Sequence, residues 1–416
     1  MRKVLMIAFH FPPSADGSGH LRTLGMVRHL PALGWKPVVL SAGAMAYPWV
    51  DPDTRSSIPA GCAVHRAFAL DAQRHFGIAG KYPAFMAKPD RWASWWPAAV
   101  WSGLQLIRRY RIDALWSTYP IMTAHVIAAS LSRRTGLPWI ADFRDPVATS
   151  VSRRHAFARE SQRRHECNAL SRAARVVLTT SGAMRYYAEQ YPKAFGAGRL
   201  NVIPNGYEES AFADLPQIAP REPDRPLRFV HSGTLYPEGR NPMALLSALA
   251  SLKEKGALTD KDIHVVFRAS RNEVAYTREL QRLRIENLVT FAPPVSNREA
   301  LREQAEADAL LLLQGDQFAG QIPAKVYEYL RIGRPILALV GEHGDTRELL
   351  QQTGGAELVD ADDAAAIEQR LPAFMRAVRQ ETWPVANAAM VRGFSRCSGA
   401  ARLAGLLDEV VMHAPR

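Results

Sequence analysis

Cysteine is scarce in this 416-residue chain, where Cys62, Cys167 and Cys397 are odd in number and far apart. That spacing builds neither a disulfide framework nor a zinc site, and it suits a reducing cytosol. Long apolar runs are also missing, since no stretch approaches the ~20 residues of a membrane span. The apolar segment Val4–Phe11 follows Met1-Arg2-Lys3 and leads into Pro12-Pro13 and a glycine-rich loop, with no small-residue cleavage site. It therefore reads as a buried first strand and not as a leader. No helix-turn-helix, zinc-finger or RRM signature occurs, so nucleic acid is not an expected partner. Acidic residues are the minority, 40 against 52 Lys plus Arg, a net charge of +12. The excess is spread along the chain and points to a phosphorylated small molecule or an acidic membrane face.

What is present is an ordinary globular balance, 47% hydrophobic and 22% charged, with length enough for two large domains. Short apolar runs alternate with helical patterns. Expected strands are 4–11, 37–41, 62–67, 113–119, 139–144, 175–180 and 201–204. After a Pro-rich charged linker they continue at 228–232, 264–268, 288–291, 309–313, 335–339 and 356–359. Expected helices include 19–33, 98–109, 122–135 and 156–173, then 243–255, 274–283, 298–307, 324–332 and 346–352. Such alternation predicts an α/β chain with two Rossmann-like domains facing across a cleft. We place an N-terminal domain at 1–210, a linker at 211–226, a C-terminal domain at 227–385 and a helical segment at 386–416 that can pack back on the N-terminal domain. The ligand belongs at the carboxyl ends of the strands.

Three segments can carry chemistry. The first βα loop, Pro12 to Gly19, contains Gly17, Ser18 and Gly19, and a helix N-terminus behind it suits a diphosphate or a sugar. It equally suits a plain βα turn. Its glycines are not spaced as GxGxxG and the second strand ends in Ser41 without a ribose-binding acid, so NAD is not expected. The second domain opens with Phe229 to Tyr236, including Gly233 and Thr234, and then Gly239-Arg240-Asn241-Pro242. Backbone donors and a fixed cation there suit phosphate. The third segment runs from Gln321 through Lys325 and Glu328 to Pro335. Pro323 suits the first helical position and Gly333 the helix end. Lys325 and Glu328, three apart, share a helix face; lysine meets phosphate and the carboxylate accepts two ribose hydroxyls. The bland alternative is an intrahelical pair worth ~0.2–0.5 kcal/mol.

This third segment resembles the nucleotide-sugar motif of family 4 glycosyltransferases, retaining enzymes of the two-domain GT-B fold. The Gly17–Gly19 loop, Val202-Ile203-Pro204-Asn205-Gly206-Tyr207 and the Gly233 to Arg240 loop agree in order and spacing. Asp142-Phe143-Arg144-Asp145-Pro146 resembles a bacterial surface-polysaccharide branch. The resemblance implies that Glu328 grips the donor ribose and that Arg240 and Lys325 face its diphosphate. It also implies a departure: a glutamate that usually stands near the transferred sugar is here Gly320. Sugar contacts then fall to backbone donors around Gly320, Gln321 and Ile322. A histidine of many members is replaced by Arg144, so Asp142, Arg144 or Asp145 takes over its orienting role.

On this basis the expected activity is transfer of a hexose-type sugar from a nucleotide-sugar to a saccharide or polyprenyl-linked acceptor. No metal and no cofactor is expected, the nucleotide-sugar being a substrate. The literal DxD strings Asp51-Pro52-Asp53 and Asp360-Ala361-Asp362 read as a turn and a helix cap. His10, His125 and His231 are scattered and read as packed side chains as readily as ligands. The Trp- and Arg-rich segment 90–111 suits either a core-facing helix or docking on an anionic membrane surface from the cytoplasmic side. Two rival readings stand beside transfer: a nucleotide-sugar epimerase or hydrolase of the same fold, and a non-catalytic nucleotide-sugar-binding scaffold.

Overall fold

The computed structural model describes residues 1–416 apart from 15–18, 79–80, 145, 148–155, 193–197, 216–221, 223–224, 272 and 414–416; of Ala84 and of 156–161 only the backbone is described. Gly17, Ser18 and Asp145 therefore lie outside the described residues. The chain divides into two units, Met1–Asn205 with Arg396–Arg416, and Gly206–Ser395.

In the first unit the elements run β1 (Arg2–Ala8), α1 (Gly19–His29), β2 (Trp35–Ala42), β3 (Ala63–Ala67), α2 (Ala72–Phe76), α3 (Trp95–Tyr110) and β4 (Ala114–Thr118). They continue with α4 (Met122–Thr135), β5 (Trp139–Arg144), α5 (Ala156–Arg172), β6 (Arg175–Leu178), α6 (Ser181–Gln190) and β7 (Leu200–Val202). The seven strands are parallel in the order β3-β2-β1-β4-β5-β6-β7. Alternate residues of β1 feed two cores. Leu5 and Ile7 join Trp95, Leu131 and Trp139 on one face, while Val4 and Met6 join Leu24, Val27 and Leu403 on the other. Both faces are dry, which is why these strands read as continuous apolar runs.

The second unit runs β8 (Leu227–Ser232), α7 (Met243–Glu254), β9 (Ile263–Arg268), α8 (Glu273–Leu283), β10 (Val289–Ala292), α9 (Asn297–Glu306) and β11 (Ala309–Gln314). It closes with α10 (Ala324–Ile332), β12 (Ile336–Val340), α11 (Asp345–Thr353), β13 (Ala356–Val359), α12 (Ala364–Arg379) and α13 (Ala388–Arg392). Its parallel sheet has the order β10-β9-β8-β11-β12-β13. Local signals fix several ends. Ser296 and Glu299 form a reciprocal capping box on α9, and Gly333, at φ +79, stops α10 in a left-handed cap. Pro323 stands at the cap position of α10, one residue before the first helical place expected for it.

The last helix, α14 (Arg396–Met412), belongs to the first unit and packs on α1. A Cβ on Gly25 would lie 2.6 Å from Cδ of Arg396, so the small residue sets this approach. Trp35 Nε1 donates to Asp408 at 3.2 Å. Among the described residues no helix is long and apolar enough to cross a membrane.

Candidate functional site

In each sheet the strand order reverses beside its first strand, between β1 and β4 and between β8 and β11. Loops leave such a point in opposite directions and open a crevice at the strand ends. The sequence candidates gather at these two points.

At the β8/β11 point, Gly233 follows β8 at φ +124, a conformation closed to side-chain-bearing residues, and its N–H donates to Arg268 O at 2.8 Å. Thr234 is half-buried beside it. Tyr236 and Arg240 exchange backbone hydrogen bonds of 3.3 and 3.2 Å around Gly239, and the Gly315 N–H donates to Gly239 O at 2.7 Å. That last bond ties the loop after β8 to the loop after β11. Arg240 is thereby held with its guanidinium 5.5 Å from the Tyr236 ring and 5.4 Å from the Phe318 ring. Its Nε is buried without a hydrogen-bond partner, which leaves donor capacity at this point.

The loop after β11 is fastened from beneath. Gln314 Nε2 donates to the carbonyls of Phe318 and Gln321, both at 2.7 Å, and Thr346 Oγ1 lies 2.7 Å from Gln314 Oε1. This fixes Gly320, Gln321 and Ile322 ahead of the N-terminus of α10. A Cβ built on Gly320 would meet nothing within 4 Å, so crowding does not account for the missing glutamate.

Lys325 is the second and Glu328 the fifth residue of α10, both half-buried. Lys325 Nζ sits 3.3 Å from His231 Nε2, and His231 Nδ1 lies 2.9 Å from Leu311 O. The carbonyl can only accept, so Nδ1 carries the proton and Nε2 accepts from lysine. Burial, then the Lys325 charge, holds His231 well below the usual imidazole value, so the ring is neutral. Burial, with the Arg240 charge second, lowers the Lys325 ammonium to about 7, while Glu328 acts in the opposite direction. A Cβ on Gly233 would come within 2.8 Å of Lys325 Nζ, so a side chain there would displace the amine. Two cations and the free N–H groups at the start of α10 thus stand beside one carboxylate. The group can take a diphosphate next to a diol.

At the β1/β4 point the picture differs. Asp142 is fully buried on β5 and accepts from Arg22 Nε at 2.8 Å, Arg22 Nη2 at 3.0 Å and Thr118 Oγ1 at 3.0 Å. Its two oxygens are thus engaged with α1 and β4. Arg22 Nη1 also donates to Pro204 O at 3.0 Å, so the cluster pins the segment where the chain leaves the unit. Arg144 ends β5 at φ +64, next to a register irregularity, and donates to Gly19 O at 3.2 Å and Tyr119 O at 3.3 Å. A positive φ on a non-glycine residue is strained backbone. Gly19 opens α1, and a Cβ there would meet His10 at an ordinary 3.6 Å, so bulk alone does not demand glycine.

The DxD strings make local turns. Asp51 accepts from Asp53 N and caps a short 3₁₀ turn, and Asp360 accepts from Asp362 N. Among the described residues no group of three His, Cys, Asp or Glu side chains is placed to hold a metal. The Trp-rich segment is split: Trp95 lies in the core and Trp92 packs on Phe9, whereas Trp96 and Trp101 are exposed. Sequence reasoning missed Arg22 and the pairing of His231 with Lys325. Only the place of His231, two residues before a βα-loop glycine, hinted at it.

A two-sheet molecule with both switch points furnished in this way has the GT-B architecture. Residues 17–206 match the family model of the glycosyl transferase 4-like domain. Sucrose-phosphate synthase from Thermosynechococcus elongatus superposes with a TM-score of 0.63 at 16% identity, covering 100% of both chains. Anabaena HepE in complex with UDP gives 0.60 at 15%, covering 99% of this chain and 97% of the other. UDP-GlcNAc 2-epimerase from Methanocaldococcus jannaschii gives 0.56 at 11%, covering 98% and 99%. At these identities the likeness is one of fold. A sequence search of curated proteins finds no match.

Proposed function

We propose that the chain is a glycosyltransferase that moves a sugar from a nucleotide-sugar to a saccharide or polyprenyl-linked saccharide acceptor. The observation that carries this reading is the β8/β11 cluster of Arg240, Lys325 and Glu328, with Gly233 set close to the lysine. Glu328 accepts the ribose hydroxyls. Arg240, Lys325 and the α10 N-terminus take the charge that grows on the diphosphate as its bond to the sugar breaks. Backbone groups of Gly320, Gln321 and Ile322, with Gly233 and Thr234, face the sugar. No side chain here is assigned as a general base. Retention of configuration and a role in cell-surface polysaccharide assembly, at the cytoplasmic face of the membrane, rest on the resemblance of the motifs. Uridine nucleotides are the first donors to try, since HepE is seen with UDP.

A thermal-shift screen of nucleoside diphosphates and their sugars, on wild type and Glu328→Ala, tests the donor site. Ligand at 100 times its dissociation constant adds ~2.7 kcal/mol to wild type. The variant loses most of that shift for nucleotides. Turnover then separates the classes: product only with a saccharide acceptor supports transfer. Consumption of donor alone means a hydrolase or an epimerase, and one protein of this fold is an epimerase. Binding without turnover means a scaffold.

A further inference from the structure

In the first sheet β1 and β4 pair along five positions, from Val4–Ala114 to Ala8–Thr118. The corresponding strands of the second sheet part early. Among the described residues β8 and β11 pair only at Phe229–Ala309 and Val230–Leu310. Each nevertheless keeps its outer neighbour to the end, β8 pairing with β9 through Ser232 and β11 with β12 through Gln314. The crevice at this switch point therefore begins inside the sheet. Such a split takes ladder partners away from backbone groups on the two facing edges, and those shielded from water need others.

Two buried side chains supply them. His231 Nδ1 donates to Leu311 O at 2.9 Å, and the Ser232 N–H donates to the Tyr329 hydroxyl at 3.2 Å. Both His231 and Tyr329 are fully buried. Tyr329 stands four residues after Lys325 on α10, so the two share a helix face. That face meets β8 at two consecutive residues: Lys325 Nζ lies 3.3 Å from His231 Nε2, and the Tyr329 hydroxyl takes Ser232. The next residue is Gly233, where a Cβ would come within 2.8 Å of Lys325 Nζ. The distance between the turn and the amine is thus set one residue earlier, at Ser232.

We infer that Tyr329 is a positioning residue of the donor site: with His231 it holds β8 apart from β11 and sets the Gly233 turn against Lys325. Its side chain is closed off from solvent, so it acts through Ser232 and not on ligand. Without the hydroxyl the Ser232 N–H loses its acceptor, and a backbone donor inside a protein does not stay unpaired. The end of β8 then shifts, toward β11 or toward water, and carries Gly233 out of place beside Lys325. Contacts to a diphosphate weaken, while Glu328, on α10 itself, still meets the ribose. The consequence for binding rests on the donor reading proposed above; the geometry rests on the parted strands alone.

Tyr329→Phe is the variant, since it deletes one oxygen and keeps the ring that packs with Val230, Leu310 and Val326. Two measurements on the full chain test it. Site-resolved amide hydrogen exchange without ligand reads the wedge: Ser232 exchanges about tenfold or more faster in the variant, while Val230, deeper in the same strand, exchanges as in wild type. Calorimetric titration with UDP and with uridine reads the positioning. Affinity for UDP falls about tenfold, the order of one lost hydrogen bond, and affinity for uridine, which lacks the diphosphate, stays as in wild type. A general loosening of the fold lowers both ligands alike. Unchanged exchange at Ser232 overturns the inference, as does an equal fall for UDP and uridine or no fall for UDP. Wild type that binds neither ligand overturns the donor reading instead, and exchange at Ser232 still decides whether Tyr329 holds the strands apart.

Discussion

Lys325 gives the proposed donor site a measurable proton. With its ammonium lowered to about 7, chiefly by burial and then by Arg240, about 90% of free chains carry the neutral amine at pH 8 and about 10% at pH 6. The neutral ring of His231 is fixed beneath it as an acceptor and supplies no compensating charge. A diphosphate arriving at Lys325 and Arg240 favours the charged amine, so the occupied site holds more protons than the free one. Affinity therefore falls as pH rises through 7, by up to about tenfold per pH unit. A uridine diphosphate sugar is the clean probe, because its diphosphate has no titrating group near neutrality. Calorimetric titration in two buffers of different ionisation enthalpy reads the uptake directly. About 0.9 proton per ligand is expected at pH 8 and about 0.1 at pH 6. Lys325→Met removes the uptake. His231→Phe, which takes away the acceptor at nearly constant volume, weakens binding about 10- to 100-fold, the worth of one hydrogen bond to a charged group. Absence of uptake in wild type at pH 8, or its persistence in Lys325→Met, refutes the reasoning.

Two further predictions concern the scaffold of the two switch points. Gly233→Ala sets a Cβ at φ +124 and 2.8 Å from Lys325 Nζ; strain of about 1–3 kcal/mol lowers the melting temperature and nucleotide affinity falls with it. Unchanged calorimetry for that variant would show the loop to be more pliant than its hydrogen bonds indicate. Arg22→Ala strands the buried Asp142 carboxylate at a cost of about 3–5 kcal/mol, read as a drop of about 10 °C or more in thermal melts. Adding Asp142→Asn should return part of the loss; a drop under about 2 °C, or no recovery, rules out a buried ion pair as the clamp.

The order of strands along the chain was legible because both sheets are covered on both faces. The inner strands are then short apolar runs, and each of the thirteen expected positions carries a strand. Boundaries set by local chemistry were equally readable: α4 and α10 begin and end where expected, each stopped by a glycine, Gly136 or Gly333. Helix α12 was not anticipated, and it holds Pro372 in its interior, which a local reading takes for a break. Packing of Ile367, Leu371 and Phe374 into the core outweighs that local cost.

By itself, then, the sequence determined the strands, their α/β alternation and the identity of the charged residues near the βα loops, because these depend on neighbours within a few positions. The tertiary structure alone decided which distant residues meet. It joined His231 to Lys325 across 94 positions and Arg22 to Asp142 across 120. Such pairings depend on which strands lie side by side, and no short-range pattern encodes that. The same burial that brings them together makes Asp142 a clamp and Lys325 a titrating amine.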